Sequence, residues 1–156
     1  MSKSNKKQPQ TDIDEKIEFL VQEIRSFLVQ VEVFFQSLKQ QQLFRKVVLH
    51  KEKSGLEKFD TKFRDIYIPE FCWIEYIGEK RIYLQWENIA YILNRANATL
   101  DERVLHIKME YEFQRLRLEV KSAVNRLKDM LKLSNDFMEI LNNQQISLKM
   151  FYQFVR

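Results

Sequence analysis

Glycine, proline and cysteine are all scarce in this chain. Its 156 residues include two glycines, two prolines and one cysteine. So few turn-forming residues disfavour a turn-rich, all-β fold. The single cysteine, Cys72, excludes an internal disulfide framework and suits a reducing compartment. We therefore expect a mainly helical, cytoplasmic protein.

Long apolar runs and a strong net charge are also lacking. No run approaches the roughly 18 apolar residues of a transmembrane helix, so we expect no membrane partner. The formal net charge is only +4, which is modest for a nucleic-acid-binding domain. Residues 1–11 are polar, include Lys3, Lys6 and Lys7, and predict a disordered basic tail. Residues 12–156 are long enough for a single helical domain.

A heptad pattern of apolar residues occupies residues 99–142. It opens with Thr99-Leu100-Asp101-Glu102, a capping-box sequence that starts a helix. From Met109 the apolar residues recur at steps of four and three, as in a coiled-coil seam, with one interruption at Ser134. The stretch should form one helix of roughly 60 Å, at about 1.5 Å per residue. The seam residues are Met109, Phe113, Leu116, Val120, Ala123, Leu127, Met130, Phe137 and Leu141.

A second heptad pattern follows Asp12, which we predict to be the N-cap of the first long helix. Eight consecutive seam positions carry large apolar side chains, which chance rarely produces. We expect this helix to continue past Val47 and Val48 and to end near Gly55, which suits the left-handed position after a helix. The seam residues are Ile13, Ile17, Leu20, Ile24, Phe27, Val31, Phe34 and Leu38.

Each helix carries a third apolar column beside its seam. A two-stranded coiled coil needs only two columns, so a third predicts that each helix contacts more than one neighbour. We expect these columns to bind protein partners in a homo- or hetero-oligomer. The column consists of Val21, Leu28 and Phe35 in the first helix, and of Val124, Leu131 and Met138 in the second.

Between the helices, at about residues 64–86, the apolar period changes to two. Two alternating runs separated by a charged loop at 78–81 predict a β-hairpin, and Pro69 should end a short strand before it. A short helix is expected at 87–96. The predicted fold is mainly α, with two long antiparallel helices of coiled-coil type joined by a β-hairpin and a short helix. The alternating residues are Cys72, Ile74, Tyr76, Ile82, Leu84 and Trp86.

No catalytic or cofactor motif accompanies these elements. The two glycines stand alone, so there is no phosphate-binding loop. Neither histidine has a second His or Cys at ligand spacing, so we expect no metal or cofactor. Arg45 and His50 have the Arg-x4-His spacing that resembles the ribonuclease motif of small helical HEPN domains. The expectation is a protein that is not an enzyme, with a HEPN-like ribonuclease toxin as a second alternative.

Basic residues spread along the second helix. Lys121 and Lys128 share one column, and Arg115 and Arg117 flank the outer face. These four are candidate contacts to nucleic acid, although interspersed acidic residues favour a solvated face with ion pairs between neighbouring turns. The first alternative function is therefore a basic helical accessory protein that binds nucleic acid. In a scaffold protein, by contrast, we expect any binding to nucleic acid to be weak.

The layout also resembles a known family in residues 66–87. The resembling segments are Ile66-Tyr67-Ile68-Pro69, Trp73-Ile74-Glu75-Tyr76-Ile77-Gly78 and Arg81-Ile82-Tyr83-Leu84-Gln85-Trp86-Glu87. Strands of this kind between two long helices resemble an α-type prefoldin subunit. The resemblance implies a non-enzymatic subunit of a hetero-oligomer. The expected function is a coiled-coil scaffold, or an assembly or chaperone-type subunit, that acts through helix packing between proteins.

Overall fold

The described residues of the protein include two long α-helices and a three-stranded sheet. The computed structural model describes residues 9–85, 93–94 and 97–155, and the side chains of 11–74, 78–80, 93–94 and 97–145. The mainly helical fold, the hairpin and the long C-terminal helix are confirmed. Most of the predicted tail (residues 1–8) and most of the predicted short helix at 87–96 lie outside the described residues. The elements are α1 (Pro9–Lys39), β1 (Val47–Lys53), β2 (Tyr67–Ile77), β3 (Lys80–Gln85) and α2 (Leu100–Val155).

Helix α2 begins where the sequence predicts and continues further. The backbone N–H of Glu102 donates to Thr99 Oγ1 at 3.2 Å, and that of Thr99 donates to Glu102 Oε1 at 3.0 Å. Each side chain therefore satisfies a free backbone donor of the first turn, as a capping box does. The helix contains 56 residues, against 31 in α1. At about 1.5 Å per residue, α2 is ~84 Å long, nearly twice the length of α1.

Helix α1 ends at Lys39, which corrects the prediction that it reaches the region of Gly55. The three glutamines at 40–42 supply no apolar residue to the seam, and the chain leaves the helix there. Val47 and Val48 then start β1, because β-branched side chains pack well on a pleated surface. Gly55 has a φ of +85° and precedes a 3-10 turn, Leu56–Lys58, instead of ending a helix.

The sheet is antiparallel, with β2 in the centre and β1 and β3 beside it. Residues 67–73 of β2 pair with β1, and residues 72–77 pair with β3. The hairpin loop is shorter than predicted, because Ile77 lies opposite Lys80 and only Gly78 and Glu79 connect the strands. Gly78 has a φ of +63°, a conformation that glycine adopts without a steric penalty.

Pro69 lies inside β2, which corrects the prediction that it ends a strand. It is opposite Lys51 of β1, in the part of β2 that has no second described neighbour. The N–H of Ile74 donates to the carbonyl oxygen of Lys46 at 3.0 Å. Hydrogen-bonded and non-hydrogen-bonded pairs alternate along an antiparallel ladder, so the Lys51–Pro69 pair is non-hydrogen-bonded. The missing N–H of proline therefore costs no bond to β1.

Two hydrophobic clusters hold the sheet against the helices. Leu20 and Ile24 of α1 share one cluster with Ala123 and Leu127 of α2. Leu38 of α1 belongs to the other cluster, with Phe113 of α2. The contacts therefore occur in reverse order along the two helices. The β2 residue Phe71 stacks on Phe113 with ring centroids 3.9 Å apart, and on Phe34 of α1 at 5.7 Å.

Candidate interaction surface

The third apolar column is mostly covered within the chain. Val21, Leu28 and Val124 are buried in the cluster that also contains Leu56 and Phe63 of the connecting 3-10 turns. The segment between β1 and β2 is thus the additional neighbour that the third apolar column predicts for each helix. This corrects the expectation for these three residues, because none of them is accessible to a partner.

The rest of the column is progressively more exposed. Phe35 is half-buried, with its ring 5.6 Å from that of Phe71 and Lys39 Nζ 5.5 Å above it. Leu131 is half-buried against the core cluster. Met138 is exposed. Only the C-terminal end of the column therefore remains available for docking.

An apolar stripe on the outer side of α2 was missed by the sequence analysis. It recurs at heptad steps, with Gln114 at the one position between Tyr111 and Leu118. The side chains of Ile107 and Tyr111 are 64% and 73% exposed. The signal was present in the sequence as a second seam, offset from the one that faces α1. We call this set the outer stripe; it consists of Leu100, Val104, Ile107, Tyr111 and Leu118.

A second exposed apolar region lies further along α2. Its side chains are the exposed Leu133, Met138, Ile140 and Leu141. Met138 and Ile140 are each 54% exposed. These four exposed apolar side chains lie within nine residues of one helix and form a candidate interaction site, because apolar patches on a folded protein commonly mark such sites.

The four candidate nucleic-acid contacts do not form one stripe of similar side chains. Arg115 pairs with Glu112 at 2.6 Å and with Glu119 at 3.3 Å, and its hydrogen bond lowers the pKa of the Glu112 carboxyl group. Arg117 is half-buried and donates to the backbone oxygen of Pro69 at 3.1 Å. These two arginines therefore already have partners within the chain.

The two lysines of the set differ in their surroundings. Lys128 is half-buried beside the turn at Gly55, where an added Cβ would come within 3.2 Å of its Nζ. Lys121 is exposed. Of the four residues, Lys121 has the placement that a phosphate contact requires.

The proposed ribonuclease pair does not lie on a helix. Arg45 is in the turn before β1, and His50 is an exposed residue of β1. Both residues follow Lys39, the last residue of α1, so neither lies in that helix.

Burial shifts the pKa values of two other side chains, His106 and Cys72. His106 of α2 is buried, and burial lowers its pKa while the charge of Glu110 opposes this shift. Burial, with a smaller contribution from Glu70, raises the pKa of the Cys72 thiol. Among the described residues, no group of three or more His, Cys, Asp or Glu is arranged to hold a metal ion.

A polar cleft of about 560 Å³ opens between β1 and the start of β2. The Tyr67 hydroxyl donates to Glu32 Oε1 at 2.9 Å, and Lys51 Nζ lies 3.2 Å from the same oxygen. Burial and this carboxylate raise the pKa of Tyr67. Basic and acidic side chains line the cleft in equal number, so it does not select one sign of ligand charge. The charged lining residues are Lys51, Lys53, Arg64, Glu52, Glu57 and Asp65.

Comparison with known proteins identifies no relative. No family model, no curated protein and no solved structure matches the chain. Within the described residues, no helix is both long and apolar enough to cross a membrane.

Proposed function

We propose that this protein is a non-enzymatic scaffold or assembly subunit that acts through helix packing with other protein chains. The supporting observation is that α2 presents exposed apolar residues at heptad spacing, in the outer stripe and beyond Met130, which α1 and the sheet leave uncovered. Helix-in-groove and helix-on-helix recognition use residues at this spacing. The prefoldin resemblance adds a hetero-oligomer as the form of the assembly.

The internal framework in this proposal is an antiparallel coiled-coil pair of α1 and α2. In such a pair, the first and fourth heptad positions of one helix face the fourth and first positions of the other. The corresponding layers are Leu20 with Leu127, Ile24 with Ala123, and Val31 with Leu116. All six residues are buried in one cluster.

An ion pair supports the same layer assignment. Glu23 and Arg126, which are 3.5 Å apart, occupy the flanking positions that face each other in this register. Phe34 and Phe113 form the layer that Phe71 of the sheet stacks against. The pair therefore serves as the rigid element on which the exposed faces of α2 are carried.

Light scattering together with binding of a hydrophobic dye tests this function. Self-association of the wild type would support the proposal. Dye binding by the wild type would also support it if the binding decreases in the outer-stripe variant Ile107→Glu or in Leu141→Glu. The matched control is Glu112→Gln, an exposed change on α2 outside both apolar regions. A monomer that binds no dye at high micromolar concentration would contradict the proposal.

The alternative is the basic nucleic-acid-binding accessory protein. It relies on Lys121 and on the seven Lys and Arg residues in 45–64, against three acidic residues there. Arg115 and Arg117 contribute less to it because both are engaged within the chain. We favour the scaffold function, because Arg115 and Arg117 already have partners within the chain, whereas the described residues leave the apolar faces of α2 uncovered.

A further inference from the structure

Strand β1 lies at an edge of the sheet. Among the residues that the structure describes, β2 is the one strand that pairs with it. The N–H of Ile74 in β2 donates to the carbonyl oxygen of Lys46 at 3.0 Å. Because bonding alternates along an antiparallel ladder, every second residue after Lys46 also directs its backbone groups towards β2. The residues between them direct their N–H and C=O groups to the outer edge, and they are Val47, Leu49, Lys51 and Lys53.

The outer edge is open over the second half of β1. Val47 is buried, whereas Leu49 is half-buried and Lys51 and Lys53 are exposed. No described residue forms a backbone hydrogen bond with the outward N–H or C=O groups of the last three. Such groups need a partner, either water or another chain. Their repetition at every second residue is the pattern to which a further extended chain can add.

Strand β1 lacks the features that normally protect an edge. Its register with β2 contains no bulge, and its sequence contains no proline. A lysine can also protect an edge by its charge. The Nζ atom of Lys51, however, lies 3.2 Å from Glu32 Oε1 and 5.0 Å from the centre of the Tyr67 ring, on the side of the sheet that faces the helices. The middle of the edge is therefore not protected by a free lysine charge.

A second copy of β1 fits this edge poorly. In a two-fold antiparallel pair, a centre at Lys51 places this lysine opposite its own copy. A centre at Glu52 does the same for Glu52 and also sets Lys51 against Lys53. Like charges directly opposite each other are destabilising. A centre at His50 would place Lys53 opposite Val47, which is buried. The charges of β1 therefore favour a strand of different sequence.

We propose that the outer edge of β1, from Leu49 to Lys53, binds an extended segment of a different protein, which joins the sheet as an added strand. The segment runs antiparallel to β1, because antiparallel pairing is the more stable form. This edge is separate from the apolar faces of α2, so the inference goes beyond helix packing.

The side chains of β1 define the chemistry of this segment. Leu49 packs against both hydrophobic clusters and is half-buried, and Lys53 has no ion pair among the described residues. Apolar pairs and pairs of opposite charge stabilise neighbouring strands. The segment therefore has an acidic residue opposite Lys53 and, four positions later in its own sequence, an apolar residue opposite Leu49.

The first experiment selects ligands from a phage-displayed library of short random peptides with the full-length protein. Enriched peptides should carry Asp or Glu four positions before an aliphatic residue. The best peptide is then synthesised with N-methyl groups on alternate residues. Methylation of the residues that bond to β1 removes their donors and should abolish binding, whereas methylation of the intervening residues should leave it unchanged.

The second experiment compares the binding of that peptide to variants of β1. Lys51→Pro and Lys51→Ala both lose the ion pair with Glu32, but only the proline removes the outward N–H, and neither removes a bond to β2. Lys51→Pro should weaken binding roughly tenfold or more, and Lys51→Ala much less. Lys53→Glu should also weaken binding. Its control is Lys62→Glu, which changes an exposed lysine of the 3-10 turn Thr61–Phe63.

Four results would overturn the added strand. They are a selection that enriches no peptide, binding that tolerates methylation of the residues facing β1, equal effects of the two Lys51 changes, and equal effects of Lys53→Glu and Lys62→Glu. Circular dichroism shows whether Lys51→Pro is folded; if it is not, the methylated peptides decide the question on the wild type. None of these results concerns the apolar faces of α2, so the proposed function is tested separately.

Discussion

The Nε of Arg117 donates a hydrogen bond to the carbonyl oxygen of Pro69 at 3.1 Å, and so joins α2 to the middle of β2. Pro69 is at a non-hydrogen-bonded position of the β1–β2 ladder, so this oxygen points away from β1. Arg117 thus satisfies a backbone acceptor where β2 has no second described strand beside it. A residue that the sequence offered as a nucleic-acid contact instead has a structural partner.

Replacing this arginine should therefore destabilise the fold. Arg117→Met keeps most of the apolar stem but leaves the buried carbonyl of Pro69 without this donor, which typically costs about 1–3 kcal/mol. Arg115→Met is the control, because its ion pairs with Glu112 and Glu119 are exposed and such pairs contribute roughly 0–1 kcal/mol. Urea melts measure both. Equal effects of the two changes would argue against a structural role for Arg117.

Leu127 should be one of the most sensitive positions of α2. Its side chain is 0% exposed in the larger core cluster, whereas Leu118, on the same helix, is 60% exposed in the outer stripe. Truncation of a buried leucine typically costs about 2–5 kcal/mol, from lost burial and the cavity left behind. In denaturant melts, Leu127→Ala should cost more than twice as much as Leu118→Ala. A larger cost for Leu118→Ala would mean that the buried face of α2 has been assigned wrongly.

The buried His106 predicts a loss of stability in mild acid. Burial lowers its pKa in the folded protein, so the folded state binds fewer protons than the unfolded state once the pH falls below about 6.5, the ordinary pKa of histidine. The free energy of unfolding should therefore be undiminished by His106 above that pH. It should decrease as the pH falls towards the folded-state pKa of His106. Melts between pH 7.5 and about pH 5 stay above the titration range of most carboxyl groups.

Two variants test whether His106 causes this pH dependence. His106→Gln should flatten it, whereas His50→Gln, which changes the exposed histidine of β1, should leave it unchanged. If the wild type shows no slope over this range, or if His50→Gln removes it, the assignment to His106 is wrong.

Any binding to duplex DNA should be weak and sensitive to salt. The net charge of +4 is small and acidic residues are interspersed, so affinity should fall steeply between 50 and 200 mM salt as counterion release loses its driving force. Lys121→Gln should reduce the salt slope by about 1 if this exposed lysine contacts a phosphate. Arg115→Gln should have a smaller effect because its guanidinium is already paired. Tight, salt-resistant and sequence-dependent binding would instead favour the nucleic-acid alternative.

The sequence alone determined the helices and the hairpin, because their signals are local. The capping residues Thr99 and Glu102 fix the start of α2, and the seam from Ile13 to Leu38 is regular enough to specify α1. Gly78 marks the hairpin loop because only glycine adopts its conformation without a penalty. The outer stripe was also present in the sequence, as heptad columns offset from the main seam.

Tertiary structure decided which of these faces is covered. The sequence could not show that the segment between β1 and β2 folds back on Val21, Leu28 and Val124, because apolar periodicity marks a buried face without naming what buries it. It also could not separate a continued helix from a strand at Val47. That choice depends on pairing with Trp73, distant in sequence, and β-propensity largely reflects such cross-strand packing. Pro69 is tolerated in β2 for a similar reason, since only the register of the ladder places it at a position where no N–H is needed.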